Sequence, residues 1–258
     1  MRLSREAEAP LKPIESVGTG GWAYLPRFTT DRLRGCAMKF QFVEANVTFY
    51  RDVEPETARK WRLRVPTDFE FSVKCSRELT HVHRMKPIAE SYIVIDRMKE
   101  ICRELRASVL VLQTPASMKI DDVKLRSLRD FFSSFDRGEL EIGWEVRSQL
   151  DPKSLAALSQ LVIDNGIIHV TDLSVSRPIV SSSLVYTRLF GRGAAGGPAY
   201  RFSYEQLEQV RERVLSLGAS KVNYAFHSLR MYDDAERFLE ILAQQNVAQL
   251  QPPQSQRA

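Results

Sequence analysis

The amino-acid sequence predicts an α/β fold, a single (β/α)8 barrel of the TIM type. Eight strand-like runs follow one another along the 258 residues, and most are near-continuous apolar runs of the kind that is buried on both faces of a parallel sheet. Helical patterns fill most of the gaps between them. Eight such units in roughly 230 residues match the size and order of a TIM barrel. The alternative is a doubly wound open sheet, in which strands seven and eight would need an edge.

Each predicted strand is a short apolar run bounded by polar or turn residues. The eight runs lie at 17–22, 40–49, 69–75, 108–114, 140–146, 167–173, 184–190 and 221–227. The second is the most informative, because it begins as an alternating strand and then turns polar. Four of its side chains lie two apart and would share one face of a strand, namely Glu44, Asn46, Thr48 and Tyr50. A face that turns polar at the carboxyl end of a buried strand is typical of an active site in a parallel α/β protein.

Helices are predicted between most strands from apolar spacing and from capping residues. They cover 54–64, 91–105, 123–135, 151 to near 166, 203–218 and 233–243. Ser203 and Gln206 form a capping box, and Asp151 before Pro152 is a second strong start signal. The segment 174–183 is short and polar, so the sixth helix is predicted to be degenerate. Residues 1–15 are predicted as an extension, 16–245 as the barrel and 246–258 as a disordered tail.

Composition and charge narrow the class of protein. Forty-three per cent hydrophobic and 27 per cent charged residues are typical of soluble globular proteins. The N-terminus lacks the apolar stretch of a signal peptide, no apolar run reaches the ~20 residues of a membrane span, and the three cysteines form no CxxC pair. We therefore expect a cytoplasmic protein with reduced thiols and no membrane partner. The sequence leaves the oligomeric state open.

A net charge of +5 and a pI near 9.1 permit an anionic partner, either nucleic acid or a phosphorylated small molecule. The basic residues are interspersed with acidic ones, so the alternative is that the charge serves solubility alone.

Polar residues gather near the predicted strand ends, where the active site of a barrel lies. They are Trp22, Glu44, Asn46, Tyr50, Lys74, Gln113, Glu145, Arg147, Asp172, Arg188, Arg192 and His227. Burying charges is costly unless they pair with each other or meet a ligand. One alternative is therefore a purely structural layer, with Glu44 paired to Arg188 or Glu145 paired to Lys74. The other is a functional site.

Two chemistries suit this set of residues. In the first, Glu145, Asp172 and His227, with Glu44, hold a divalent metal that activates water. In the second, the cationic side chains bind phosphate or carboxylate while Glu44, Glu145 or His227 transfers protons. The cations are Lys74, Arg147, Arg188 and Arg192, and Asn46 and Gln113 would orient the ligand.

The glycine-rich loop GRGAAGGP at 191–198 favours the anion site, because barrels often bind phosphate on backbone amides beyond strands seven and eight. Gly191 opens this loop, and a flexible linker or lid is the alternative. Four aromatic side chains flank the mouth and would stack on a base or ring of the ligand, namely Trp22, Tyr24, Phe49 and Tyr50. Core packing is an equal alternative for Phe49. His169 lies among apolar residues, and a core role is expected for it.

Six motifs in order carry a resemblance to a known family. They are GTGGWAY (18–24), VEANVTFYR (43–51), FEFSVKCSRELTH (69–81), VLVLQTPAS (109–117), WEVR (144–147) and YTRLFGR (186–192). Over residues 17–245 the chain resembles the YecE-like family, the domain of unknown function seventy-two. The resemblance implies a TIM-type barrel but no settled activity. Its motif positions correspond to Gly20, Trp22, Glu44, Asn46, Thr48, Tyr50, Lys74, His81, Gln113, Glu145, Arg147, Arg188 and Gly191.

The chain departs from the family pattern at three places. Phe190 stands where the family usually has histidine, and Ala225 and His227 stand where it usually has paired asparagines. After Arg147 the usual His-Pro-Ser-Trp-like run is replaced by Ser-Gln-Leu. If the histidine at the position of Phe190 is catalytic in the family, His227 would be the compensating imidazole here.

The sequence thus predicts a hydrolase that acts on an anionic, phosphate-bearing substrate, nucleic acid included, at the C-terminal rim of the barrel. The alternative is a barrel that binds an anion or nucleic acid without chemistry.

Overall fold

Eight parallel strands form a nearly closed barrel in the structure, a computed structural model that describes residues 12–25, 30–191 and 199–250. The strands are β1 Ile14–Thr19, β2 Phe42–Ala45, β3 Glu70–Lys74, β4 Val109–Thr114, β5 Glu141–Val146, β6 Ile168–His169, β7 Leu184–Leu189 and β8 Lys221–Phe226. Their order in the sheet is β6-β5-β4-β3-β2-β1-β8-β7. A parallel bridge between Thr171 and Thr187 joins the two edges. The predicted TIM-type barrel is confirmed.

Helices separate most of the strands. They are α1 Arg32–Lys39, α2 Val47–Tyr50, α3 Pro55–Arg62, α4 Ala89–Leu105, α5 Asp122–Ser133, α6 Pro152–Asp164, α7 Tyr204–Leu215 and α8 Met231–Leu250, with a π-helical turn at Glu78–Val82. The capping box of Ser203 and Gln206 at the start of α7 is confirmed. No helix lies within 174–183, the segment for which the sequence predicts a degenerate sixth helix. Helix α1 was not predicted, because its segment RLRGCAMK contains an internal glycine and few apolar residues.

The second strand ends earlier than the sequence predicts. It stops at Ala45, and the chain then winds into the short helix α2. The hydroxyl of Thr48 donates to the carbonyl oxygens of Ala45 at 2.8 Å and of Lys74 at 2.6 Å, which holds this turn against β3. The expectation that Glu44, Asn46, Thr48 and Tyr50 share one strand face is therefore wrong beyond Ala45.

Side chains alternate along each strand between the barrel interior and the helical layer. The interior holds an apolar layer of Phe42, Val109, Val111, Ile168, Val170, Tyr186 and Ala225. A larger apolar core lies between the sheet and the helices. One alternation towards the carboxyl ends, the interior positions of β2, β3, β4, β5 and β7 are Glu44, Lys74, Gln113, Glu145 and Arg188. The mouth of the barrel is therefore charged because of strand register.

The first strand and the last helix extend beyond the limits that the sequence predicts for the barrel. β1 begins at Ile14, and α8 continues to Leu250, so it overlaps the start of the tail predicted from residue 246. Residues 1–11 and 251–258 lie outside the described residues.

Cys36, Cys75 and Cys102 are buried free thiols. Among the helices that the structure describes, none is long and apolar enough to cross a membrane.

Candidate active site at the barrel mouth

A cavity of about 380 Å³ opens at the carboxyl ends of the strands. Its walls come from strand ends and from the segments that follow them, which is where the active sites of TIM barrels lie. The lining residues are Gly20, Tyr24, Asn46, Tyr50, Lys74, Gln113, Arg147, Arg188, Phe190, His227, Ser228, Leu229 and Met231. Seven of the twelve side chains that the sequence places at strand ends therefore line one cavity.

Arg188 on β7 organises the floor of the cavity. Its guanidinium is almost fully buried and forms a bidentate pair with Glu44, with Nη2 2.9 Å from Oε1 and Nε 3.1 Å from Oε2. Its other terminal nitrogen, Nη1, donates to Glu145. One arginine thus pairs with two carboxylates on separate strands, and each of its three nitrogens takes part in these pairs.

Glu44 lies beneath Arg188 and is completely buried. Its Oε2 also accepts a hydrogen bond of 2.9 Å from the hydroxyl of Tyr186, which lies 2.7 Å from the hydroxyl of Ser72. Burial alone would raise the pKa of Glu44, but the guanidinium of Arg188 more than offsets it and holds the pKa far below its ordinary value. Glu44 does not line the cavity. A carboxylate with every oxygen engaged and such a low pKa is a structural anion rather than a proton acceptor.

Glu145 on β5 is held in a similar way. One oxygen accepts from Arg188, and the other lies 2.6 Å from Nε of Arg147. Burial opposes ionisation, but these two guanidinium groups lower the pKa of Glu145 overall. Glu145 is also absent from the cavity lining. Both predicted catalytic carboxylates therefore serve as counter-charges for the arginines, and the predicted pair of Glu145 with Lys74 does not form.

Lys74 on β3 is the exception among these charges. Its side chain is only 6% exposed, and its Nζ faces the cavity 3.7 Å from the ring centre of Phe49. Among the described residues, Nζ has neither a hydrogen-bond acceptor nor an ion-pair partner. Burial, together with repulsion from Arg188, lowers the pKa of Lys74 to about 7. Lys74 is thus a buried amine that changes charge near neutral pH and has an open cavity in front of it.

His227 follows β8 and lies against the buried arginine. Its Nε2 is 3.2 Å from Nε of Arg188 and 3.4 Å from Oε2 of Glu44. Burial and the neighbouring guanidinium lower its pKa, which favours the neutral imidazole. The ring of Phe190 stacks on it at 4.8 Å. Two of the residues at which the chain departs from the family pattern, Phe190 and His227, are therefore in direct contact.

Gly20 sets how closely the first βα loop approaches this imidazole. A Cβ atom at Gly20 would lie 2.1 Å from Nδ1 of His227, so only glycine fits there without displacing the ring. The carbonyl oxygen of Gly20 accepts a 2.6 Å hydrogen bond from the side-chain amide of Asn46. Asn46 thus fixes the loop as well as lining the cavity.

The remaining lining side chains offer donors and ring faces. The amide of Gln113 has no hydrogen-bond partner in the part of the chain that the structure describes, and the terminal nitrogens of Arg147 likewise have none there. Tyr24 and Tyr50 are both 73% exposed at the mouth. The cavity therefore combines aromatic rings at its edge with three groups that can donate hydrogen bonds to a ligand, namely Lys74, Gln113 and Arg147.

Two predicted ligand-binding residues lie elsewhere, and one lies outside the described residues. Trp22 packs edge-on against Trp61 at 5.2 Å and belongs to the core between sheet and helices. Gly191 is buried with a φ of 66°, and a Cβ there would overlap the ring of Tyr200, so it serves a turn. Arg192 and the rest of the glycine-rich loop to residue 198 lie outside the described residues.

The predicted metal set of Glu145, Asp172 and His227 is not assembled. Among the described residues, no group of three or more histidine, cysteine or acidic side chains could hold a metal ion. Asp172 instead accepts hydrogen bonds from the backbone and hydroxyl of Ser174 and from the backbone of Phe190. Those contacts shape the ends of the strands, and they occupy the oxygens a metal would need.

The roles of two contributors were not predicted from the sequence. Tyr186, which anchors Glu44, reads as a core aromatic within an apolar strand. Phe49 provides the ring under the Lys74 amine, and its role depends on the unpredicted turn of α2. The expected core role of His169 holds, since its Nδ1 accepts from the backbone of Ile179 and burial lowers its pKa to about 4.

Comparison with known families gives a match over nearly the whole chain. The model of the family described as "Protein of unknown function DUF72" matches residues 16–257. No curated protein matches the sequence.

Solved structures with the same fold include two members of that family. A DUF72 family protein from Enterococcus faecalis V583 has 19% identity and a TM-score of 0.67, covering 93% of this chain and 99% of that one. A DUF72 family protein from Thermotoga maritima MSB8 has 20% identity and a TM-score of 0.68, covering 89% and 99%. A xylose isomerase domain protein from Planctomyces limnophilus has 12% identity and a TM-score of 0.51, covering 91% and 96%. At these identities the likeness shows the fold.

Proposed function

This chain belongs to the DUF72 family, and from that premise we propose that it is an enzyme that acts on a small, phosphate-bearing anion held in the cavity at the barrel mouth. The observation that carries the proposal is the unpaired, buried Lys74. A buried ammonium costs free energy unless it is paired, and proteins keep such groups where a ligand supplies the missing charge.

The charge balance of the site supports an anionic ligand. Glu44 and Glu145 carry two negative charges, and Arg147 and Arg188, which pair with them, carry two positive charges. Protonated Lys74 then adds one positive charge that no described residue balances. A bound anion would balance this charge.

The donors around the cavity suit phosphate in particular. Arg147 uses only its Nε on Glu145, so its two terminal nitrogens are free to hold two oxygens of one phosphate group. Gln113 adds an amide donor on the next strand. Together with Lys74, these groups come from three adjacent strands, β3, β4 and β5.

Lys74 is the residue of this site that is suited to transfer a proton. Hydrolysis needs a group that accepts a proton from water near neutral pH. Glu44 and Glu145 are held as anions by arginine and do not reach the cavity. The amine of Lys74, with a pKa of about 7, has the proton affinity that such a step requires. We therefore assign to Lys74 the proton-transfer role that the sequence had suggested for the two glutamates.

The second candidate is a barrel that binds nucleic acid without chemistry. Tyr24 and Tyr50 favour it, because exposed rings beside a cationic cavity are suited to stacking on bases. The two candidates differ in their response to salt. Binding of nucleic acid should weaken steeply with salt concentration, because several counterions are released, whereas a single small anion should respond mildly.

Sulfate binding tests the anion site, because its charge is constant while phosphate itself titrates. We expect titration calorimetry to show binding at low pH, with an affinity that falls as the pH rises through about 7, the pKa of the unliganded amine. The sign follows from the need for a charged ammonium, which is present below that pKa and lost above it. Lys74→Met should bind sulfate about tenfold or more weakly and without this pH dependence, since a charged hydrogen bond contributes about 1.5–3 kcal/mol.

Lys153→Met is the matched control, because this lysine is 77% exposed and pairs only with Asp122. It should bind sulfate as the wild type does. Equal sulfate affinity in Lys74→Met and the wild type would overturn the proposal.

A further inference from the structure

We infer that Lys74 is also a nucleophile, and that the anion this site takes carries an aldehyde or ketone with which the amine forms an imine. The inference rests on the proposed function, since the anionic group is what would place the carbonyl in front of Nζ. It adds a substrate class, phosphate-bearing carbonyl compounds, and a covalent step.

The geometry meets the first requirement of such a step, an accessible lone pair at the end of a fixed side chain. Lys74 is confined by burial and by the ring of Phe49, yet its Nζ opens on a cavity of about 380 Å³. No described acceptor draws its hydrogens in another direction. Nζ is therefore aimed at the space that a ligand would occupy.

The surroundings meet the second requirement, a neutral amine at neutral pH. Burial disfavours the ammonium form, and Arg188 and Arg147 repel it. Lysines activated for imine formation are commonly desolvated or placed beside another cation, and Lys74 has both features. The resulting pKa of about 7 keeps a large share of the amine unprotonated.

The chemistry balances without a further reactant. The nitrogen lone pair attacks the carbonyl carbon, a C–N bond forms, and the carbonyl π electrons move to oxygen, which takes up a proton as nitrogen gives one up. The carbinolamine then loses water to leave the imine. Protonation of the imine nitrogen restores one positive charge at the position of the Lys74 ammonium. The sum is amine plus carbonyl to imine plus water, with no oxidation or reduction.

Lys124 provides an internal comparison. Burial lowers its pKa to about 8, so it too is partly neutral near neutral pH. Its Nζ, however, donates to the carbonyl oxygen of Arg84 and lies outside the cavity at the barrel mouth. If a lowered pKa alone decided reactivity, Lys124 would react within about tenfold of Lys74, because the two pKa values differ by about one unit. If the cavity decides, Lys74 reacts selectively.

The test uses pyridoxal 5′-phosphate as a phosphate-bearing aldehyde and borohydride to reduce any imine to a stable amine, followed by peptide mass spectrometry. We expect modification of Lys74 to be at least about a hundredfold faster than that of Lys124, well beyond the roughly tenfold that their pKa difference allows, and faster still than that of exposed lysines. Excess sulfate should suppress the reaction at Lys74. In Lys74→Met the selective label should vanish, whereas in Lys153→Met it should persist.

The outcomes separate this inference from the proposed function. Sulfate binding without selective labelling of Lys74 would overturn the imine and leave the anion site standing. Labelling of Lys74 that an uncharged aldehyde reproduces at the same rate, and that sulfate does not suppress, would support the nucleophile and contradict the anion site. Absence of both sulfate binding and selective labelling would overturn both.

Discussion

Replacing Arg188 by methionine is expected to lower the free energy of unfolding by about 3–5 kcal/mol, the usual cost of leaving a buried charge without its partner. Glu44 is completely buried, and Arg188 binds both of its oxygens. Methionine cannot replace the positive charge, so the buried carboxylate of Glu44 loses its guanidinium partner, while Glu145 keeps its pair with Arg147. The loss should be measured by urea unfolding at neutral pH.

Two companion variants make the result specific. Glu44→Gln combined with Arg188→Met removes a charge from each partner and should recover a large part of the loss, because the coupling between contacting residues is non-additive. Arg103→Met, at a position where the side chain is 71% exposed, should change stability by no more than about 0.5 kcal/mol. A loss below about 1 kcal/mol in Arg188→Met would contradict the central role of this arginine.

The same contact has a definite pH signature. The folded state holds the pKa of Glu44 below its ordinary value, so the stabilisation is present above the ordinary carboxylate range and is lost as the pH falls through that lowered pKa. In Arg188→Met, acid protonates the Glu44 carboxylate that has lost its partner, and this removes the uncompensated charge. The difference in stability between the two proteins should therefore narrow in acid.

The second variant with a large expected effect is more stable than the wild type, not less stable. Lys74→Met is expected to raise the free energy of unfolding at neutral pH by a few kcal/mol, since each unit of pKa shift corresponds to about 1.4 kcal/mol. The folded protein holds Lys74 at a pKa of about 7 against an ordinary value of 10.5, which means that burial of the ammonium opposes folding. The same variant should lose sulfate binding. A gain in stability together with a loss of binding is what a functional residue shows.

The pH dependence of stability checks this prediction. Between about pH 7 and 10.5 the unfolded chain binds the Lys74 proton and the folded chain does not, so the stability of the wild type should rise with pH. Lys74→Met should lack that part of the rise, and Lys153→Met should retain it. If Lys74→Met is less stable than the wild type, the amine is paired in a way that the structure does not show.

Strand periodicity made much of the site predictable. Interior positions of a strand recur every second residue, so Lys74, Gln113, Glu145 and Arg188 could be placed on the barrel mouth once the strands were found. His227 followed from the same rule. The fold was predictable for a related reason, since eight apolar runs of similar length separated by helices leave few other arrangements.

The roles of these side chains were not predictable, because they depend on pairing across the barrel. Arg188 pairs with Glu44 and Glu145 because they lie close to it in the folded protein, and the spacing of residues along the sequence does not show this. The turn after Ala45 moved Tyr50 to the surface, and it depends on hydrogen bonds from Thr48 to two strands. The position of Trp22 was not predictable for a similar reason, since Trp61, against which it packs, lies far along the chain.

A crystal structure of the protein with phosphate tests the central claim most directly. The account predicts density for one phosphate ion in the barrel mouth, within hydrogen-bond distance of Lys74 Nζ and of Gln113 or Arg147. A second groove at the opposite ends of the strands, lined by Lys99, Arg103, Arg106 and Arg137 but also by Asp96, Glu100 and Glu139, serves as the internal reference. Phosphate bound in that groove while the mouth stays empty would contradict an anion site built around Lys74.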